Sequence, residues 1–445
     1  MNSTQVNRTV RVKDSLPVAH TLGIPRDVQE KLSWKMPITY TIAAILLFLF
    51  ALRAQGNTLI RLNDSGSLID IPDFSVPAAI VLWIFFGVAV VMLLWSIVSA
   101  LARDSYGRKG FLADRAAAIV VALVTVLGFL IFAGAGSAGA LTLTTTFAAT
   151  VAISTPLIFG ALSGVMSEHV GVVNIAIEGD LLVGAFMGVM AASFFQTPYA
   201  GLIAAPIAGA FVGCLLALFS VKYGVDQIIV GVVLNVLCLG LTTFFYGSLM
   251  SEHAQILNTS RHSLKAIRIP FLADIPVVGP ALFNQTILVY IMYAVVVFLT
   301  IFLYRSRWGL RLRAVGEHPR AADTVGIKVN RTRIRNTILA SSLAGLGGAF
   351  FTIGQGLAFT DNMSAGNGYI ALAAMILGKW HPIGALGASL MFGFATAVAQ
   401  LMPNLTHAIP SQLVNMIPYI ITIIAVAGFV GKSRAPAAEN IPYMK

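Results

Sequence analysis

Charged residues make up only 11% of this 445-residue chain, against about 25% in an ordinary soluble domain. So little charge leaves too few polar side chains to coat a globule, which excludes a water-soluble fold. Cysteine is nearly absent too. Cys214 and Cys238 each sit inside an apolar run, which reads as inert packing and argues against disulfides and thiol chemistry. The polar N-terminus, Met1 to Lys35, lacks the apolar stretch of a signal peptide, so neither export nor cleavage is expected. The motifs of catalysis are missing as well. Gly431-Lys432-Ser433 resembles the end of a phosphate-binding loop, but the glycine required five residues before Gly431 is replaced by Val426. There is no Gly-x-Ser-x-Gly elbow and no CxxC, and the seven histidines show no metal spacing, with His169, His318 and His381 standing apart. No catalytic residue, metal or bound cofactor is therefore expected, and an enzyme reading has almost nothing to rest on.

Long apolar runs are what the chain has in abundance. A helix needs about 20 apolar residues to cross a bilayer. Uncharged stretches of that kind run Met36–Leu52, Val76–Leu101, Ala116–Ala133, Leu141–Val165, Leu181–Val221, Ile228–Met250, Ile275–Tyr304 without its polar start, Asn336–Leu357, Ile383–Met402 and Leu413–Val430. Leu181–Val221 is long enough to begin in one helix and end in a second, and Gly366–Leu377 is apolar but short. The expected fold is an all-α, polytopic membrane helical bundle with about ten to twelve spans, two of them broken or re-entrant. Forty glycines fit closely packed membrane helices.

Lysine and arginine fix the expected orientation. They collect in the N-terminal tail (Arg8, Arg11, Lys13, Arg26, Lys31, Lys35), the second connection (Arg103, Arg108, Lys109, Arg115), the nine of Arg305–Arg335, and the C-terminal tail (Lys432, Arg434, Lys445). The long connections Arg53–Ser75 and Ser251–Gln285 carry few. Both termini are thus expected in the cytoplasm, and the formal charge of +11 is mostly positive-inside charge, which removes the case for nucleic-acid binding. An even number of crossings requires Gly366–Met402 to fold back near Gly378-Lys379-Trp380-His381-Pro382. The organisation read from these features is a cytoplasmic tail (1–35), an added N-terminal transmembrane block (36–135), a core (136–430) with a cytoplasmic loop at 305–335, and a cytoplasmic tail (431–445).

Three stretches carry the polar chemistry. The first, Ser167 to Asp180, places Glu168, Asn174, Glu178 and Asp180 between two apolar spans, where each charge near hydrocarbon costs about 2.5–3.5 kcal/mol. Asn174 and Glu178 at i and i+4 would share one helix face as part of a gate or solute path. Alternatively the stretch is a cytoplasmic turn and helix start, with Glu178 bonding backbone amides to fix a break. In the second stretch, Arg305–Arg335, Pro319 suits a first helical turn, and Ala321, Ala322, Val325 and Ile327 would form an apolar face for docking in a partner's groove. The other reading is a solvated basic loop. In the third, Gln355 to Leu372, amides, small residues and aromatics would bind a sugar or base, or simply make an outer turn.

At these stretches the sequence resembles the permease subunits of ATP-binding-cassette (ABC) importers of the branched-chain amino acid, ribose and nucleoside type, over roughly residues 140–430. The segment Ser-Glu-His-Val-Gly-Val-Val-Asn-Ile-Ala-Ile-Glu-Gly at 167–179 is similar to the nucleoside branch's Ser-Glu-Arg-x-Gly-x-x-Asn-Ile-Gly-x-Glu-Gly. Arg-Ala-Val-Gly-Glu-His-Pro-Arg-Ala-Ala at 313–322 and Gly-Tyr-Ile-Ala-Leu-Ala-Ala at 368–374, then Gly378 and Pro382, follow in order. His169, Ala176 and Asp180 depart from the pattern, and the ribose branch's Gly-Ile-Asp-Leu-Ser-Val-Gly is absent.

The resemblance implies a nucleoside permease without its own ATPase site, in the bacterial plasma membrane. Its partners would be a separate ATPase with two nucleotide-binding domains, which carries the ATP and Mg, a second homologous permease completing a heterodimeric pore, and a basic-membrane-protein-type substrate-binding lipoprotein. A coupling helix would dock on the ATPase through Gly316, Glu317, Pro319, Ala321, Ala322 and Gly326. The translocation pathway would involve Asn174, Glu178, Asn235, Gln355, Phe359 and Asn362. Rival expectations are the same architecture importing monosaccharides or branched-chain amino acids, a proton-coupled secondary transporter using Glu178 or Glu168, and a membrane scaffold.

Overall fold

A computed structural model describes residues 34–62, 72–101, 108–137, 141–405, 416 and 434–444. Three helices come first, α1 (Lys35–Arg53), α2 (Ala78–Leu101) and α3 (Arg108–Gly134). The core begins with α4 (Leu143–Glu168), α5 (Ile177–Phe194), α6 (Pro198–Ala217) and α7 (Gln227–Phe245). After the short α8 (Ala254–Leu257) and α9 (Val278–Phe283) come α10 (Ile287–Arg305), α11 (Arg307–Glu317), α12 (Pro319–Thr324), α13 (Val329–Gly348), α14 (Asn367–Leu377) and α15 (Pro382–Leu405). Helices α6, α7 and α13 each run on into a π-helical turn, at Leu218–Lys222, Tyr246–Met250 and Phe350–Gly354. Among the described residues ten helices are long and apolar enough to cross a membrane. The chain is a polytopic helical bundle. The uncharged run Leu181–Val221 divides into α5 and α6, and Gln196 turns between them with a left-handed φ of 54°. The expected span Leu413–Val430 and most of the N-terminal tail lie outside the described residues.

Strands are few and short. β1 (Asn57–Arg61) pairs antiparallel with β2 (Phe74–Pro77) and parallel with β3 (Leu141–Thr142), and β4 (Ala266–Arg268) pairs with β5 (Asn284–Thr286). They lie in or beside the connections poor in Lys and Arg, and β1–β3 joins the N-terminal helices to the start of α4.

Burial runs opposite to that of a soluble protein. Ile80, Trp83, Leu94 and Trp95 of α2 face outward, while Ser154, Thr155, Ser163, Asp180 and Ser341 are fully buried. Lipid accepts the first set, and the second must find partners inside the bundle. Hydroxyls on α4 do so within their own helix, Ser154 donating to the Thr150 carbonyl (2.6 Å) and Thr155 to that of Val151 (3.0 Å). α4 is the central helix, 83% of its span buried, against 17% for α2 at the rim. α1–α3 pack among themselves through Leu47, Leu82, Val124 and Ile131, then on α15 through Leu130, Ala133, Val398 and Met402.

Helices α5, α6 and α13 cross at small residues. A Cβ on Gly345 would lie 2.5 Å from the Ala205 carbonyl oxygen and 2.8 Å from Gly209 Cα, and one on Gly184 would lie 2.1 Å from the Gly345 oxygen. Lipid tails are as apolar as leucine, so such close packing rather than hydrophobic exclusion holds these helices together. Gly345→Val is expected to force the three backbones apart at a cost of about 1–3 kcal/mol or more, read as a lowered midpoint in thermal unfolding of the detergent-purified protein.

Candidate functional site

Two helices begin inside the bundle. The eleven residues of α14 rise about 16 Å, half of a hydrocarbon core. Its far end leads to Trp380, whose indole N–H donates to the Glu168 carboxylate at the end of α4. Its near end therefore lies about halfway along the bundle, where it meets Glu178 in the first turn of α5. Glu178 Oε1 accepts from the Ser364 hydroxyl (2.6 Å) and the Gly366 amide (2.7 Å), and Oε2 accepts from the Gly368 amide (2.6 Å). A helix start leaves amides without partners and carries partial positive charge, so a carboxylate from another helix satisfies both needs. The approach is close enough to exclude side chains, since a Cβ on Gly368 would lie 2.5 Å from Glu178 Cα.

The break before α5 has its own supports. After α4 ends at Glu168, residues 169–176 run without helix to Ile177. Two amides of α7 bind this backbone. Gln227 Oε1 accepts from Val173 N–H (2.7 Å), while Asn235 donates to the Ile175 carbonyl (2.9 Å) and accepts from Gly179 N–H (2.8 Å). Asn174 therefore precedes the helix, and the expected shared face with Glu178 does not form. The irregular backbone ends only at Ala176, where α5 begins. Asn174 is fully buried, its amide nitrogen 3.3–3.4 Å from Ser163 Oγ, Asp180 Oδ2 and Ser341 Oγ. Gln227 was not singled out from sequence, although an amide opening an apolar span was the available signal.

The third stretch divides by exposure. Phe359 is buried, edge-on to Phe186 and Tyr246 and held by a backbone pair with the Asn258 side chain (2.7 and 3.0 Å). Gln355 and Asn362 are exposed, Asn362 with a left-handed φ of 52°. Tyr369, also exposed, receives a bond from Asn235 (3.3 Å). Glu178, Asn235 and Tyr369 are thus brought together at the two helix starts, and Phe359 packs separately against Phe186 and Tyr246.

The connection between α10 and α13 is a compact module of two short helices. Ser306 caps α11 by accepting from Gly309 N–H (3.0 Å), and Pro319 opens α12. Gly326, at φ 86°, closes α12, its amide bonding the Asp323 carbonyl (2.9 Å). Ala322 is buried and Ile327 packs on the core, whereas Ala321 and Val325 face outward. The single apolar face expected from these four residues is therefore split in two, because 321 and 325 are one turn apart and 322 points the other way. Gly316 is buried where a Cβ would meet the His169 carbonyl oxygen at 2.1 Å, so its smallness serves packing. Exposed Glu317 accepts from Ala437 N–H (3.4 Å).

A feature not foreseen from sequence is the seating of residues 434–444 on this module. Ala438 N–H donates to the Gly316 carbonyl (2.8 Å), and buried Arg333 donates to the carbonyls of Ile441 (2.8 Å) and Ala438 (3.3 Å). Asn440 bonds Asp226 (3.3 Å), the cap of α7, which itself accepts from Ile228 and Ile229 N–H. Burial beside Glu168 pushes the Glu439 carboxyl up from its ordinary range. Burial also holds the His169 imidazole below its usual value.

Glu178→Ala is expected to leave three buried donors without partners at about 1–3 kcal/mol each, giving a protein that purifies poorly or melts far lower, with Glu178→Gln intermediate. For Glu439, a raised folded-state pKa means that tail docking is strongest when the carboxyl is protonated and weakens as pH rises from the unfolded value through the folded one. Hydrogen exchange at Ala438 N–H, corrected for its intrinsic pH dependence, should therefore speed up with pH, and Glu439→Gln should flatten that trend.

The model of the branched-chain amino acid transport system permease component matches residues 146–426. The guanosine ABC transporter permease protein NupQ of Bacillus subtilis (strain 168) is 41% identical over 307 residues, 67% of this chain and 95% of that protein. The nucleoside ABC transporter permease protein NupC of Lactococcus lactis subsp. cremoris (strain MG1363) is 39% identical over 302 residues, 66% of this chain and 94% of its own length. NupB, named a nucleoside ABC transporter permease protein from the same strain, is 28% identical over 295 residues, 64% of this chain and 80% of its own. No solved structure matches the chain. With the broken helices at 169–176 and 355–366 falling inside the matched residues, the chain belongs to the family of branched-chain amino acid transport system permease components.

Proposed function

We propose that this chain is one of two related permease subunits of a nucleoside importer driven by a separate ATPase. The observation that carries the reading is the near-complete coverage of NupQ and NupC, whose names specify guanosine and nucleosides. The presence of both NupB and NupC among the relatives of one strain supports a pore built from two different permeases. An ATPase with two nucleotide-binding domains supplies the ATP and Mg chemistry, and a substrate-binding lipoprotein delivers the solute to the outer face. Both termini lie in the cytoplasm, on the side of the nine Lys and Arg residues of Arg305–Arg335.

In this reading the coupling surface is the outward side of the α11–α12 module, with Glu317, Pro319 and Ala321 at the partner, while Gly316, Ala322 and Gly326 give the module its shape. The solute passes along the exposed side of the second break, by Gln355 and Asn362. Asn174, Glu178, Asn235 and Phe359 form the frame behind it.

In vesicles holding both permeases and the ATPase, labelled guanosine uptake should require ATP and be competed by unlabelled nucleosides but not by glucose or leucine. This polypeptide alone should be inert, and accumulation without companions overturns the proposal. Glu317→Lys is expected to lower both ATPase retention and uptake by roughly tenfold, or about 1.4 kcal/mol. Full retention with full uptake would remove α11–α12 from the coupling role.

A further inference from the structure

We infer that the C-terminal strap 434–444 is the second half of the surface on which the ATPase docks. This rests on the coupling reading of α12 and extends it to a part of the chain with no assigned role. The inner side of the strap is fixed. Ala438 is buried, and the backbone is tied to Gly316 on α11, Arg333 on α13 and, through Asn440, the cap of α7. The Tyr443 hydroxyl bonds the Asp323 carboxylate on α12, with Arg320 close by. The outer side is left open. Ile441 is 53% exposed and Met444 84%, and Val325, two residues from Asp323, is 75% exposed.

These three apolar side chains lie beyond the ends of the spans, so lipid tails do not account for them. Exposed cations accompany them in the chain, Arg320 near Tyr443, Lys328 three residues after Val325 and Arg434 at the start of the strap, whereas Asp323 is engaged by Tyr443. An apolar centre with a basic rim, continuous with α12, fits a soluble subunit that offers an apolar groove with acidic edges. A strap tied by its backbone to α11 and α13 and by the Asn440 side chain to α7 also carries any pull on that surface to three helices at once.

The test uses the assembled complex of both permeases and the ATPase in detergent, with Ile441→Asp and Met444→Asp. Both side chains are exposed, so folding should be preserved. The expected result is a roughly tenfold weaker hold on the ATPase and a parallel loss of uptake, with the permease pair intact and its melting temperature unchanged. Phe271→Asp, 88% exposed in the connection between α8 and α9, should change nothing. If Ala321→Asp, at the coupling surface, releases the ATPase while the two strap variants retain it, the strap is excluded and the coupling reading stands. If all three retain it, both fail. Separation of the two permeases, or loss of binding to anionic vesicles, with the ATPase still held would assign the strap to those surfaces instead and overturn the inference.

Discussion

One carboxylate joins the two interrupted helices of this protein. Glu178 sits at the start of α5 and closes the start of α14 with three short hydrogen bonds. Non-helical backbone inside a bilayer is tolerated only where protein or water satisfies its amides, and charge-assisted bonds to a helix start are among the strongest available. Removing Glu178 would expose both breaks, because Asn235, which holds Gly179, also bonds Tyr369 on α14. The two breaks are therefore one structural unit, stabilised from α7 as much as from α5.

Around that unit the protein is built for rigidity. The α5–α6–α13 crossing at Gly184, Gly209 and Gly345 brings backbones to distances that allow little sliding, and α4 runs through the centre with its hydroxyls turned back on its own carbonyls. The remaining joints lie at the ends: the Glu168–Trp380 contact, the His169–Gly316 approach and the strap.

Much of this was readable in the sequence because a bilayer imposes simple rules. The spans follow from charge-free length, and the turn at Gly378–Pro382 follows from breaker residues, with α14 ending at Leu377 and α15 starting at Pro382. The importance of Glu178 was visible as a costly charge, but its partners were not, since Ser364, Gly366 and Gly368 lie far along the chain. Local spacing misled twice. Asn174 and Glu178 do not share a helix because the break lasts until Ala176, and α12 divides its apolar residues between two faces because it lies flat on the core. The strap has no sequence signature, since a Pro- and Ala-rich terminus carries no periodic signal and its anchors are mostly backbone groups.

The placement of those joints gives a chain of contacts between the α11–α12 module and the breaks. α11 meets the end of α4 where Gly316 abuts the His169 carbonyl. The end of α4 holds Trp380 through Glu168, and Trp380 lies in the turn that follows α14, whose other end meets Glu178. The path from α11–α12 to α14 thus runs through direct contacts at each step, with no linking segment longer than the four-residue turn 378–381. Lys379 and Trp380 both hold left-handed backbone in that turn, at φ 57° and 55°. Such a conformation persists only when its surroundings impose it. Here backbone bonds from Lys379 N–H to the Ile376 carbonyl (3.0 Å), from Trp380 N–H to that of Met375 (3.1 Å) and from His381 N–H to that of Gly378 (3.1 Å) hold the turn, and the indole bond to Glu168 ties it to the end of α4.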